Sequence, residues 1–252
     1  MTFLGLPLVF DSFPQWLGAC LILVLAEGVY VSFGFGSGLI AVGLMALVME
    51  SLRDVVVILL LVNLPVELLV VAASGRKIQW KGILLAALGL LPGIPAGTWM
   101  LGLGDPSFLL LLLGAFLVCA GSAFLFLPVH RKWRLPPWAG FTAGLSSGIL
   151  AGLFGTGGPP IILYYQVQGT AKSVFRGTLM ALFFFTTLVR GPTYLAGGLI
   201  TTPRIWSALA VLPAVGLGAW LGNRVHISLS ESAFRRLVSI LLILLGLGLF
   251  LR

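Results

Sequence analysis

The sequence predicts an all-α polytopic membrane protein, built as two inverted repeats of about five hydrophobic segments each, with helices broken by Gly and Pro. Three observations carry this prediction. Hydrophobic residues make up 59% of the 252 residues and charged residues only 9%, against roughly 25% charge in soluble domains. Most apolar stretches approach the roughly 20 residues that a membrane-spanning helix needs. The string FGFGSG at 33–38 also recurs 121 positions later as FGTGGPP at 154–160.

Short polar clusters divide the chain into ten apolar segments, five in each half. The predicted segments are 16–33, 38–50, 55–73, 81–103, 107–128, 138–154, 159–168, 174–197, 205–222 and 234–251. We therefore predict a single transmembrane transporter domain over residues 1–252. Within it, residues 16–128 form the first repeat and residues 138–251 form the second, inverted repeat.

Two predicted segments, 38–50 and 159–168, are short for a complete crossing. At about 1.5 Å of rise per residue they reach about 20 and 15 Å, whereas the hydrocarbon core is roughly 30 Å thick. They are either re-entrant half-helices or parts of broken helices that complete a crossing. If all ten segments cross, the Lys and Arg residues collect on one side, and only Arg53, Arg204 and Arg252 remain on the other. This asymmetry favours complete crossings and a cytoplasmic location for the basic side.

The duplication extends beyond the glycines. Pro92 and Trp99 recur as Pro213 and Trp220 at the same offset of 121 positions. An odd number of crossings in each half makes the second copy enter from the opposite face, so the repeats are inverted. Inverted repeats with Gly- or Pro-interrupted segments at corresponding places are the best sequence indication of a transporter binding site.

A third correspondence places polar side chains beside helix-breaking prolines. The tripeptide Asn63-Leu64-Pro65 in the third segment aligns with Arg190-Gly191-Pro192 in the eighth, at an offset of 127 positions. Each Pro lacks a backbone N–H and frees an upstream carbonyl, which predicts a kink next to a polar side chain at membrane depth.

These motifs together resemble the TauE/SafE family, the 4-toluenesulfonate uptake permease type of transporters. The resemblance is carried by FGFGSGLI, by GLSSGILAGLFGTGGPPIILYY and by the duplicated Pro and Trp spacing, and it covers roughly residues 20–251. The sequence departs from the usual pattern at Ser37, where a run of glycines is common, and at Pro159-Pro160, where one Pro is usual. The resemblance implies transport of sulfite, sulfonates or related sulfur-containing anions across a bacterial inner membrane, with proton coupling.

The residues themselves offer chemistry that suits an anion. A helix N-terminus presents unpaired N–H groups and about half a positive charge, and glycine lets the backbone approach an oxyanion closely. The predicted binding residues at the two breaks are Thr156, Gly157, Gly158, Gly36, Ser37 and Gly38. The alternative is that these glycines serve close helix packing, as small residues do in membranes. For the ridge Gly144, Gly148 and Gly152 we predict packing.

Arg190 is the strongest single candidate for substrate binding. It lies well inside an apolar segment, where an arginine is costly unless it is paired or faces water. Its planar fork can bind a sulfonate or sulfite bidentately, and we expect it to face one cavity together with the N–H groups of residues 156–158. The alternative is a structural ion pair with Glu67 or Glu27. In both cases the side chain should point inward.

Glu67 and Glu27 are the two acids deep inside apolar segments, which makes them candidates for proton coupling or for structural pairing. Glu67 follows Asn63 by one helical turn, so both share one helix face. Asn63 and Thr187 are predicted to contribute hydrogen bonds to the substrate. Further neutral candidates are Gln166, Thr186, Tyr164 and Tyr194, although Tyr at the end of a segment is often an interfacial anchor.

Several function classes are excluded or remain as alternatives. The net charge of +8 is explained by orientation-setting loops, so no nucleic-acid partner is predicted, and neither a cofactor nor a metal is expected. The predicted partners are the lipid bilayer, a small sulfur-containing anion and, as a possibility left open, further copies of the chain in a homo-oligomer. An anion channel would use the same helix termini without a coupling acid. An intramembrane enzyme acting on a lipid phosphate would need a nucleophile or base, and no acid–His or Ser–His pair is available in the segments; we therefore predict no enzyme.

Overall fold

The computed structural model describes residues 2–3, 6–33, 36–74, 80–126, 135–136, 138–168, 172–224 and 231–251. Gly34 and Phe35 of the first glycine motif lie outside these residues. Two short strands, β1 (Thr2–Phe3) and β2 (Leu6–Pro7), pair antiparallel with Thr2 opposite Pro7. The helices are α1 (Phe13–Phe33), α2 (Ser37–Val48), α3 (Leu52–Ser74), α4 (Trp80–Leu103), α5 (Pro106–Phe126), α6 (Trp138–Phe154), α7 (Gly158–Val167), α8 (Lys172–Ala196), α9 (Thr202–Arg224) and α10 (Glu231–Phe250).

Each predicted segment corresponds to one helix, which confirms the all-α fold class. Four helices begin three residues earlier than predicted, α1 at Phe13, α3 at Leu52, α9 at Thr202 and α10 at Glu231. Hydropathy misses these starts because the first turn of a helix is often polar. In α3, for example, the Ser51 hydroxyl accepts a hydrogen bond from the Asp54 N–H at 3.3 Å, which caps the helix before its apolar part begins.

Glycine sets the distance between α4 and α6. Gly93 packs so closely that an added Cβ would lie 2.5 Å from the Leu145 carbonyl oxygen, and a Cβ on Gly144 would clash with the Ala86 carbonyl. Six glycines follow this pattern on the two helices, namely Gly89, Gly93, Gly97, Gly144, Gly148 and Gly152. The packing role predicted for the ridge on α6 is therefore confirmed, and backbone contact replaces side-chain interdigitation here.

Other helix pairs also pack closely through glycine. A Cβ on Gly218 of α9 would lie 2.5 Å from the Val24 carbonyl of α1. A Cβ on Gly246 of α10 would lie 2.5 Å from the Gly114 carbonyl of α5. Van der Waals packing drives such association, because apolar surface gains little by leaving lipid for another helix.

The chain forms two compact units. Unit 1 comprises Met1–Val62, Gly104–Leu127 and Ile200–Arg252, and unit 2 comprises Asn63–Leu103 and Pro128–Leu199. Unit 1 contains the pairs α1 with α9 and α5 with α10, whereas unit 2 contains α4 packed on α6 and α8. Each unit thus draws helices from both predicted repeats. The repeat boundaries themselves stay a prediction.

Five of the described helices are long and apolar enough to cross a membrane. These spans are Phe13–Ser32, Ile83–Leu103, Pro106–Phe126, Gly177–Ala196 and Thr202–Arg224. The helices α2 and α7, with 12 and 10 residues, would reach only about 18 and 15 Å. Their length agrees with the predicted broken helices, and whether each completes a crossing stays a prediction.

Candidate functional site

The candidate site in unit 2 lies where the chain passes from α6 to α7. Gly155 follows the last residue of α6 with φ 74°, a left-handed conformation that glycine adopts without steric cost. Its N–H donates to the Ala151 carbonyl at 2.9 Å, which is the usual way in which a glycine ends a helix. The chain then turns, and α7 begins at Gly158.

Gly157 is held tightly against α6. The Ser147 hydroxyl donates a hydrogen bond to the Gly157 carbonyl, and a Cβ at residue 157 would clash with the Ser147 carbonyl oxygen. This close approach agrees with the packing alternative for Gly157. It leaves the predicted binding role untested, because a glycine can serve both purposes.

The start of α7 offers fewer N–H donors than an ordinary helix start. Pro159 and Pro160 occupy its first turn, and neither carries a backbone N–H. Among the N–H groups that a helix start normally leaves unpaired, only those of Gly157 and Gly158 are therefore available. Thr156, which precedes these two glycines, is 9% exposed.

Arg190 of α8 reaches the end of α6. Its side chain is 2% exposed, which agrees with the predicted inward orientation. Nη1 donates a hydrogen bond to the Gly155 carbonyl and lies 3.5 Å from the Ala151 carbonyl oxygen. The structure thus brings the guanidinium to the predicted loop, where Nη1 contacts carbonyl oxygens. A cavity shared with the N–H groups of residues 156–158 stays a prediction.

Tyr194, one helical turn after Arg190, completes this contact. Its hydroxyl donates to the Gly152 carbonyl at 2.8 Å, and the Arg190 Cζ atom lies 5.6 Å from the centre of the tyrosine ring. The side chain is fully buried, so Tyr194 does not act as an interfacial anchor. Helix ends leave carbonyls without partners, and Tyr194 of α8 supplies a donor for that of Gly152.

Glu67 of α3 lies beside the same face of α8. Its side chain is 8% exposed. The Thr187 hydroxyl donates a hydrogen bond to its carboxylate, and the Arg190 charge acts on it. Of the two acids considered as partners for Arg190, Glu67 is therefore the one that unit 2 brings near the guanidinium.

Three buried polar atoms of these residues lack a hydrogen-bond partner within the described part of the chain. They are Arg190 Nε, Glu67 Oε2 and Asn63 Oδ1. Most buried polar atoms in proteins have a partner, so each exception calls for an explanation such as a bound molecule. One donor and two acceptors of the predicted site residues therefore lie unused in the same unit.

The glycine motif of the first half lies in unit 1. Gly36 is the N-cap of α2 with φ 95°, and Gly157, 121 positions later, is the N-cap of α7. Ser37 is 6% exposed and Gly38 lies in the first turn of α2. Glu27 on α1 is 2% exposed and lies against α9, where a Cβ on Gly218 would come within 3.0 Å of the glutamate Cβ.

Sequence reasoning missed two parts of this arrangement. The sequence gives Ser147 no role beyond its place in a family motif, although its hydroxyl donates a hydrogen bond to the Gly157 carbonyl. The carbonyls of Ala151, Gly152 and Gly155 were not considered at all. Backbone acceptors leave no trace in residue type, and only the glycine that ends α6 hinted at an exposed helix end. Among the neutral candidates, Thr186 instead donates to the Leu182 carbonyl of its own helix at 2.8 Å.

The described residues form ten mostly apolar helices, with glycine at the breaks before α2 and α7, and they bury an arginine beside a glutamate. These are the features of a multi-pass membrane transport protein. Comparison with known proteins gives the same class. The chain belongs to the sulfite exporter TauE/SafE family, whose profile matches residues 19–249. The resemblance noted in the sequence is confirmed. Because this family and the relatives below are transporters, the chain is not an enzyme.

Two relatives share most of their length with this chain. A probable sulfite/organosulfonate exporter TauE of Cupriavidus necator is 28% identical over 222 residues, covering 86% of this chain and 87% of the relative. A probable inner membrane transporter protein TsaS of Comamonas testosteroni is 26% identical over 193 residues, covering 76% of this chain and 81% of the relative. This protein is accordingly a multi-pass membrane protein. No solved structure matches the chain.

Proposed function

We propose that this protein is a proton-coupled secondary transporter of sulfite and short organosulfonates that works by alternating access. The observation that carries the proposal is the buried Arg190, whose Nε has no partner among the described residues although Glu67 lies close to it. The substrate class is supported by the relative described as a sulfite/organosulfonate exporter.

The guanidinium is suited to bridge protein and substrate. Nη1 is bound to the end of α6, whereas Nε–H points along the opposite edge of the planar fork together with one N–H of Nη2. That edge matches two oxygens of a sulfite or sulfonate group in bidentate geometry. Asn63 and the Thr187 hydroxyl add neutral hydrogen-bonding groups, and the N–H groups of Gly157 and Gly158 add a helix N-terminus.

Glu67 is the residue that binds and releases the coupled proton. In the empty carrier its carboxylate balances the charge of Arg190, which lies close enough to act on it. When a monoanion takes the free edge of the guanidinium, the carboxylate loses its counter-charge in a buried place, where an unpaired charge is costly. Taking up a proton removes this cost, so the anion and one proton are bound together.

Alternating access is supported by the arrangement of helices inside the units. If the two halves are repeats, α4 and α6 correspond to α9 and α1. The first pair packs closely in unit 2 and the second in unit 1. Both pairs meet through glycine, for instance at Gly97 and, 121 positions later, at Gly218. Inverted repeats of this kind permit two arrangements of similar stability, one open to each side.

The decisive experiment measures sulfite flux in proteoliposomes. Wild type should show counterflow, in which unlabelled sulfite inside drives uptake of labelled sulfite, and a channel would show none. Arg190→Ala should lose at least about tenfold in flux, because a charge-assisted contact contributes about 1.5–3 kcal/mol. Arg224→Ala is the matched control, since it removes an equal charge at an exposed position on Trp220. Full flux in folded Arg190→Ala would remove Arg190 from the site.

A further inference from the structure

The end of α6 is electrostatically a cation site. The last turn of a helix leaves carbonyl groups without partners, and the C-terminal end carries about half a negative charge. In transporters with broken helices, such ends and the unwound carbonyls beside them coordinate a coupling cation. In this chain the relevant oxygens are those of Gly152, in the last turn of α6, and of Gly155 just after it. The Ala151 carbonyl already accepts the Gly155 N–H at 2.9 Å.

Side chains of α8 already occupy these oxygens. The Arg190 Nη1 donates to Gly155 and approaches Ala151, and the Tyr194 hydroxyl donates to Gly152 at 2.8 Å. Both side chains are buried, with exposed fractions of 2% and 0%. A full positive charge therefore lies where a mobile cation would otherwise be bound, and it is covalently attached to the neighbouring helix.

We infer that the Arg190 guanidinium is a tethered cation, which takes the place of a mobile coupling cation such as Na⁺ at the end of α6. What this inference implies for ion coupling rests on the proposed transport function. The position of the guanidinium at the end of α6 does not depend on that function. A cation fixed to α8 cannot cross the membrane with the substrate, so a Na⁺ gradient cannot drive transport through this position. The positive charge is nevertheless always present for the substrate anion on the opposite edge of the fork.

An arginine side chain is well suited to bind these carbonyls and an anion at the same time. Its guanidinium is always charged and is hydrated more weakly than an ammonium group, so burying it is less costly. Its planar shape lets Nη1 serve the carbonyls while Nε, unpartnered among the described residues, stays available for a second contact. A bound Na⁺ would satisfy the carbonyls but would leave no directed donor for an oxyanion.

The test uses purified protein without substrate, so it is independent of whether sulfite is transported. Thermal unfolding is followed in choline chloride, in NaCl and in a few millimolar guanidinium chloride. Wild type should unfold at the same temperature in all three. Removing the tethered cation in Arg190→Ala should lower Tm, and either Na⁺ or free guanidinium should restore part of the loss in a saturable way, by roughly 2–4 °C.

Tyr194→Phe is the matched control, because it removes a donor to the same turn of α6 and keeps the charge. Its Tm should not respond to Na⁺ or guanidinium. A folded Arg190→Ala protein that neither cation stabilises would overturn the inference, as would a Tyr194→Phe protein that responds equally. If Arg190→Ala does not fold, Arg190→Met is measured in the same three salts: saturable stabilisation by Na⁺ or guanidinium supports the tethered cation, and no response to either contradicts it.

Discussion

Arg190 and Tyr194 lie one helical turn apart on α8, and both donate hydrogen bonds to carbonyl oxygens at the end of α6. The same pair is linked by the position of the guanidinium 5.6 Å from the centre of the tyrosine ring. Together they hold the broken end of α6 against α8. The candidate substrate site and the structural support of the helix break are therefore made by the same face of one helix.

The tyrosine hydroxyl can be tested separately from the charge. Tyr194→Phe leaves the Gly152 carbonyl buried without its donor, which should destabilise the protein by about 1–3 kcal/mol. Tm, measured by tryptophan fluorescence in detergent, should fall by several degrees. Because Arg190 remains, sulfite counterflow should decrease less than in Arg190→Ala. An unchanged Tm would show that the hydrogen bond contributes nothing to stability.

The glycine contact between α4 and α6 gives a second prediction. Gly144→Ala should destabilise the protein by about 1–3 kcal/mol, because the added Cβ would clash with the Ala86 carbonyl and push the helices apart. Gly216→Ala is the matched control on α9, where an added Cβ meets nothing within 4 Å. That substitution should be neutral or slightly stabilising, since alanine favours a helix over glycine. Equal Tm values for the two variants would contradict close packing as the reason for Gly144.

The contacts of Tyr194 and Gly144 differ in how far the sequence predicts them. The ten segments and the packing ridge on α6 follow from hydropathy and small-residue spacing, and both patterns act over one helical segment. Arg190 stood out because a charge inside an apolar segment is rare. The contact of Arg190 with the Gly155 carbonyl could not be predicted from the sequence. Backbone oxygens are the same in every residue, and their availability depends on where α6 ends.

The helix starts illustrate the same limit. Hydropathy places the beginning of α3 at residue 55, whereas Ser51 caps a helix that starts at Leu52. The proximity of Glu67 and Thr187 depends on how α3 packs in unit 2, and no periodicity in either segment encodes that pairing. Arrangement between helices is thus the part that a single sequence did not yield.

The break before α2 gives a third prediction. Gly36 has φ 95°, and an added Cβ would meet nothing within 4 Å, so the cost of a substitution comes from the backbone alone. Gly36→Ala should destabilise the protein by about 1–2 kcal/mol, the usual cost of a left-handed conformation for a residue with a Cβ. Gly36→Asn should cost less, because asparagine tolerates this region. If alanine and asparagine lower Tm equally, the left-handed conformation is not what requires glycine.

Replacement of the buried acid tests the coupling step. Glu67→Gln keeps the shape of the side chain and its contact with Thr187, but it can neither balance Arg190 nor bind a proton. Counterflow of sulfite under equal pH on both sides should continue, since exchange needs no net proton movement. Uptake against a concentration gradient, driven by an imposed pH difference, should fall to the level of empty liposomes. The pH indicator trapped in the liposomes should then record no proton flux on addition of sulfite.

Glu50→Gln is the matched control for this charge change, because Glu50 is exposed and lies between α2 and α3. It should retain both counterflow and pH-driven uptake. Loss of both activities in Glu67→Gln, with an unchanged Tm, would indicate that the carboxylate binds substrate or orders Arg190 and is not a proton carrier. Retention of pH-driven uptake would show that another group carries the coupling proton. The next candidate is Glu27 on α1, which is 2% exposed, and Glu27→Gln would be measured in the same assay.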